Sequence, residues 1–290
     1  MDNISIIEVF ISGRRIGRMA LTPEGMCGFE YDADWIQTGF SISPFYLPLK
    51  SGLIMAKRDP FGGNFGVFDD SLPDGWGNLL LDRYLQERGI DPYKLNILER
   101  LSLIGSTGRG ALEYYPDKSV VTDAEYLNFD SLAKEVAKIL ESKESKGSVD
   151  LLYKYGGSSG GARPKIFTKV DGCEWLVKFK ATNDPVDVGE IEYNYSLLAR
   201  DCGIRMAETR LFDNRYFGVE RFDRAPQGKI HTVSAAGLLH ANYRIPSLDY
   251  SILLKLTLNL TKDMEQVAEM FRLMVFNVLK IGRASCRERV

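Results

Sequence analysis

The residues best suited to chemistry lie in the stretch 153–167, YKYGGSSGGARPKIF. Gly156, Gly157, Gly160 and Gly161 surround Ser158 and Ser159, and the cations Arg163 and Lys165 follow. Glycine lets backbone N–H groups come close to a ligand, and such a loop beside a cation suits a phosphate. A Walker loop needs GxxxxGK followed by Ser or Thr, but Lys165 follows Pro164 and precedes Ile166. A Rossmann turn needs GxGxxG between a strand and a helix, whereas a hairpin pattern follows here. The order fits a third arrangement better. There a glycine loop covers the phosphates, a strand lysine pairs with the α- and β-phosphates, and a helix glutamate orients that lysine. Lys178 in WLVKFK supplies the lysine, Glu190 or Glu192 in GEIEYNYSLLARDC the glutamate, and GVERFDR stands where a hinge would hold adenine.

The elements that must position these groups can be read from periodicity and turn chemistry. KIFTKV and CEWLVKFK are strands joined by Asp171-Gly172, a strong hairpin signal. Alternation along WLVKFK places Lys178 on one defined face. A helix is expected over roughly 189–202, stopped by Gly203, and TRLFDN pairs with YFGVERFDR across a polar turn. Before the loop, residues 5–35 read as a small antiparallel sheet beginning with a hairpin at Ser12-Gly13. Pro73-Asp74-Gly75 marks a turn into a helix whose face carries Leu79, Leu80, Tyr84 and Leu85, and a second short helix follows in PYKLNILERLSLIG. A further helix carries Leu132, Val136, Ile139 and Leu140, with Asp130 as N-cap. After residue 226 the chain is largely helical, and Val267, Met270, Phe271, Met274, Val275 and Val278 make a broad apolar face.

Bulk properties narrow the function classes. The chain has 290 residues, 44% hydrophobic and 26% charged, with a formal net charge of -2. That is ordinary soluble composition, and no global basic field argues for nucleic acid, although Arg14, Arg15 and Arg18 form a local cluster. No apolar run approaches the ~20 residues of a membrane span, and the N-terminus lacks signal-peptide character. The four cysteines are scattered without a CxxC pair, and His231 and His240 are the only histidines. A cytoplasmic protein without a His-based metal site or triad is expected.

With these motifs in view, the chain resembles the HipA family of toxin–antitoxin serine/threonine kinases. The resemblance rests on GGARPK, LVKF, EYNYSLLARDCGI and GVERFDR, with FDDSLPDGWGN, LSLIG and GALEYYP in the N-terminal region, and spans about residues 5–280. It implies an α+β fold: an N-terminal α/β subdomain, a protein-kinase-like N-lobe built from an antiparallel sheet and one key helix, and the start of a helical C-lobe. The expected division is residues 1–120, a connector at 121–150, the N-lobe at 151–225 and the C-lobe from 226 to 280. By resemblance, Lys178 is the phosphate-binding lysine and Glu192 its partner. Ser158, Ser159, Gly160 and Gly161 cover ATP, and Glu220 and Phe222 lie at the hinge. Ser158 occupies the place of an autophosphorylated serine. The cofactors implied are ATP and Mg²⁺. The partners implied are a protein substrate and a DNA-binding antitoxin through which DNA is met indirectly.

Plainer readings stand beside these. The glycines could be a linker, Lys178 an edge-strand charge, Ser158 a polar loop residue, and Glu220 a structural partner of Arg221 or Arg224. Arg109 fits a turn better than a nucleotide contact, and FDDSLPDGWGN reads as a plain strand-to-helix connection. The family's catalytic aspartate and metal-binding loop, expected after FRLMVFNVL, do not occur. Residues 281–290, IGRASCRERV, break the helical pattern and resemble a translated sequencing adapter. The expectation is therefore a fragment of a kinase without its catalytic aspartate, with a non-catalytic nucleotide- or partner-binding module as the alternative.

Overall fold

The computed structural model describes residues 4–120, 128–143, 146–245 and 247–279; the 281–290 segment lies outside them. The N-terminal region forms a five-stranded antiparallel sheet from β1 (Ile6–Ile11), β2 (Arg14–Leu21), β3 (Cys27–Tyr31), β4 (Ile54–Met55) and β5 (Leu112–Tyr115), ordered β4-β3-β2-β1-β5. Ser12 and Gly13 both take positive φ at the β1–β2 turn, as the hairpin signal requires. Helix α1 (Ala33–Thr38) follows β3 directly, so DADWI turns away from the sheet instead of extending it. Ile7, Val9, Phe29, Phe68 and Tyr114 are fully buried in the core between this sheet and its covering segments. That core also takes in α2 (Gly66–Asp69).

Helix α3 (Gly75–Gln86) leaves this core and joins a second one. Its Trp76, Leu80, Leu81 and Leu85 pack with α5 (Phe129–Leu140) and α6 (Lys146–Gly156). Between α3 and α5 lie a 3₁₀ turn at Pro92–Lys94 and α4 (Ile97–Ile104), so PYKLNILERLSLIG is a turn and a helix rather than one helix. Asn96 and Glu99 close α4 with a reciprocal capping box, which stops the helix from extending back into the turn. The N-cap of α5 is Asn128, not Asp130. The Asn128 side chain accepts the Ser131 N–H, while Asp130 lies in the first turn and binds Arg215 and the Tyr216 hydroxyl.

The second core is closed by a four-stranded antiparallel sheet ordered β6-β7-β9-β8. Its strands are β6 (Lys165–Val170), β7 (Cys173–Lys178), β8 (Thr209–Phe212) and β9 (Tyr216–Glu220), with α7 (Val188–Asp201) between β7 and β8. Ile166, Trp175, Val177 and Phe179 face α3, α5 and α6. A two-residue hairpin follows, β10 (Arg224–Ala225) with β11 (Gly228–Lys229). Then come α8 (Ala235–Leu239), α9 (Tyr250–Thr261) and α10 (Met264–Leu279). The apolar face expected on α10 exists, but none of its residues is buried, and Phe271 and Val278 are more than half exposed. The fold is α+β throughout, and no described helix is long and apolar enough to cross a membrane.

Candidate functional site

The register of the second sheet sorts its residues between two faces. Lys165 stands opposite Lys178 and Phe167 opposite Leu176, while Leu176 stands opposite Val219 and Trp175 opposite Glu220. Alternation therefore puts Lys165, Phe167, Leu176, Lys178 and Val219 on one face and the core residues Ile166, Trp175 and Val177 on the other. Phe167, Leu176 and Val219 are half-buried, so this face is apolar and still accessible.

Lys178 ends β7 and donates from Nζ to Glu192 Oε2 at 2.8 Å, with the Phe217 ring 5.2 Å away. The pair is largely enclosed, with side-chain exposures of 13% and 16%. Two charges held at that depth depend on each other, because removing either strands the other in poorly solvating surroundings. Of the two glutamates the sequence offered, the structure brings Glu192 to Lys178 and leaves Glu190 exposed. Arg163, which sequence reasoning assigned no role beyond a nearby positive charge, joins the cluster. It lies 3.6 Å from Glu192 and 2.9 Å from Asp184.

The glycine loop follows directly from α6, a helix that the sequence reading did not separate from the loop. The loop is packed inward against the start of α3. The Trp76 N–H donates to the Gly161 carbonyl at 3.0 Å, the Gly161 N–H donates to the Asp74 carboxylate, and the Trp76 indole donates to the Lys165 carbonyl at 3.1 Å. Gly77 must be glycine, because a Cβ there would stand 2.2 Å from the Ser159 carbonyl oxygen. Ser159 is fully buried with its hydroxyl donating to the Gly156 carbonyl at 2.6 Å, and the Ser158 hydroxyl donates to the Thr107 carbonyl at 3.1 Å. Lys165 Nζ binds the Gly160 carbonyl. Arg109 packs against Gly160 and donates to the Asp70 carbonyl at 2.7 Å, so it braces the loop rather than capping a turn. FDDSLPDGWGN is thus the cradle of the loop. The signal available in the sequence was its paired glycines, Gly75 and Gly77, at a helix start where glycine is otherwise a poor choice.

Glu220 ends β9 with its side chain on the Trp175 face of the sheet, the side away from Leu176 and Val219, and Phe222 follows just beyond the strand. Glu220 is opposite Trp175, three residues before Lys178, or about 10 Å along the strand. The Phe222 ring is 68% exposed. The neighbours of these two residues carry structure. Arg221 is buried, donates to Asp223 at 2.8 Å, lies 3.4 Å from Glu174 and stacks over the Phe167 ring at 4.4 Å. Burial pushes the Asp223 carboxyl up, but hydrogen bonds and charge from Arg221, with Arg224, hold it below its ordinary value. Asp223 also accepts the Gly110 N–H at 2.8 Å, and Arg224 donates to the carbonyls of Gly108 and Gly110 at 2.9 and 3.0 Å. The structural ion pair expected of Glu220 is made by Glu174 instead.

A basin of about 540 Å³ adjoins the loop on its N-terminal side, with Asp69, Asp70 and Asp74 facing Arg100, Arg109 and Arg244. Burial lifts the Asp69 carboxyl to about 6. Among the described residues, no group of three or more His, Cys, Asp or Glu side chains could hold a metal ion.

Residues 7–115 match the HipA N-terminal domain family, and residues 157–281 match the HipA-like C-terminal domain family. No curated protein sequence matches the chain significantly. Its fold is similar to that of a chain in the Shewanella oneidensis MR-1 toxin–antitoxin complex of HipA, HipB and operator DNA. The TM-score is 0.63 at 20% identity, over 96% of this chain and 70% of the other.

Proposed function

The chain belongs to the HipA-like toxin–antitoxin family, and from that premise we propose that its second sheet binds ATP for transfer of a phosphoryl group to a serine or threonine of a protein. The observation that carries this reading is the enclosed Lys178–Glu192 pair at the end of an accessible apolar strand face. ATP would supply the phosphoryl group. Lys178 offers a fixed positive charge to its phosphates, and Glu192 keeps that ammonium from swinging away. Phe167, Leu176 and Val219 offer the adenine an apolar surface that ends at the backbone of Glu220 and Phe222. Ser158 and Ser159 with Gly160 and Gly161 form the loop that, on this reading, would leave its place on α3 to close over the phosphates, and Ser158 is the candidate for self-modification.

No cluster of three or more His, Cys, Asp or Glu side chains among the described residues could hold a metal ion. On this reading the metal ligands and the carboxylate that orients the acceptor hydroxyl come from chain outside them. For the same reason, a nucleotide-binding module without transfer is the second reading. A DNA-binding antitoxin is the proposed partner, with DNA reached through it, since the structural neighbour is held in such a complex. Binding of a fluorescent ATP analogue by the wild type and Lys178→Ala tests the site. Losing one charged contact should weaken binding by about ten- to a hundredfold. Equal affinity removes Lys178 from the site and overturns the reading.

A further inference from the structure

A cleft of about 470 Å³, open to solvent on one side, lies beyond the C-terminal end of β7 between α5, the start of α7 and the segment joining β7 to α7. This volume is in the range of small-molecule sites. It meets the accessible face at Lys178, Glu192 and Phe217 and extends from there past the end of β7, away from Leu176 and Val219, to α5, which packs on the opposite side of the sheet.

The walls differ in character. Ala133, Ala137 and Leu140 recur at helical spacing on α5 and border the cleft along the flank of the Leu132, Val136 and Ile139 stripe that is buried in the core. Val186, Val188 and Phe217 extend this apolar lining. The opposite wall is polar and carries Arg163, Lys178, Glu192 and Asp184. Most charges around the cavity are matched: Lys178 with Glu192, Arg163 with Asp184, Arg215 with Asp130, and Glu141 with Lys143. Lys180 remains at the rim, exposed and without an ion-pair partner among the described residues, beside the Thr182 hydroxyl.

We propose that this cavity is a second binding site, for a small amphipathic carboxylate whose hydrocarbon part lies against α5 and whose anion meets Lys180. An apolar lining with one surplus cation selects that chemistry over a neutral or cationic molecule of the same length. An occupant there touches the back of the Lys178–Glu192 pair. Occupancy and nucleotide binding at Lys178 are therefore coupled, each changing the affinity of the other by the same factor. This coupling rests on the nucleotide reading; the site itself does not.

Octanoate is the probe, titrated calorimetrically into the wild-type chain, Ala137→Trp and Lys180→Glu. Ala137 faces open cavity, so an indole there fills the space without entering the core. Wild type should bind octanoate. Ala137→Trp should weaken it by at least about tenfold, and Lys180→Glu should reverse the preference for octanoate over octylamine. Absence of octanoate binding, or unchanged binding in Ala137→Trp, overturns the proposal. So does competitive displacement of the ATP analogue by octanoate, which would make the cavity part of the nucleotide site. Failure of the nucleotide reading has a different signature: the ATP analogue does not bind, while the octanoate isotherms keep their expected order.

Discussion

His240 shows how much a single residue can carry outside any catalytic role. Its Nε2 accepts the Gly66 N–H at 3.1 Å, and its ring stacks on Tyr46 at 3.5 Å, nearly parallel. An imidazole used as an acceptor must be neutral, and burial, with Lys57 nearby, pulls its pKa down to about 4. The unfolded chain takes up the proton near 6.5, while the folded chain resists it. The stability held by His240 is thus complete above about pH 6.5 and is lost as pH falls toward 4, by about 1–2 kcal/mol for a group that is only partly buried. Asp69 acts in the opposite sense in an overlapping window. Its raised pKa means that its contribution is complete below about pH 4 and is lost as pH rises through 6. The two must therefore be separated by substitution. In His240→Gln an amide oxygen can accept the Gly66 N–H without titrating. Urea midpoints measured between pH 7 and 4.5 should fall less in this variant than in the wild type; parallel curves would refute the assignment.

At the scale of elements, the start of α3 and the glycine loop form one unit. Replacing a helix glycine with alanine normally stabilises by about 1 kcal/mol. Gly77→Ala should do the reverse, because its Cβ would stand 2.2 Å from a backbone oxygen that cannot swing aside. The expected cost is about 1–3 kcal/mol, with the loop forced off the helix. Amide hydrogen exchange would then show faster exchange at Trp76 and Gly161 than in wild type, while α5 and β7 keep their protection. Unchanged exchange at Gly161 would refute the cradle. The glycine loop stood out in the sequence, whereas FDDSLPDGWGN read as a plain connection, and nothing in either named the other. They are far apart along the chain, and close backbone approach leaves no periodicity to read.

At the scale of the molecule, the two sheets are joined by GVERFDR as much as by the shared helix α3. Asp223 binds Arg221 and Arg224 on its own side and the Gly110 amide on the other. Arg221 is 6% exposed at its side chain, so Asp223→Ala leaves a buried guanidinium without its main counter-charge. Removing one member of such a pair costs about 3–5 kcal/mol. Chemical denaturation should show a midpoint lowered accordingly; a variant as stable as wild type would mean that the bolt contributes nothing. A motif that reads in sequence as a hinge for adenine is therefore the fastening between the two halves, with Arg221, Asp223 and Arg224 committed to the fold.

The sequence by itself determined what depends on near neighbours. The Ser12-Gly13 and Asp171-Gly172 hairpins follow from residues that tolerate positive φ. The face on which Lys178 stands follows from strand alternation. The apolar stripes of α5 and α10 follow from helical spacing. The α+β class and the order of loop, lysine and glutamate follow from these together. Tertiary structure decided what depends on distant neighbours. It chose Glu192 and brought Arg163 to it, folded the glycine loop onto α3, and spent Arg221 and Asp223 on the junction. It also opened a cavity behind the lysine. The physical reason is the range of the interactions: turn and strand preferences act within a few residues, whereas ion pairs and backbone packing form between segments whose separation along the chain carries no record of their approach.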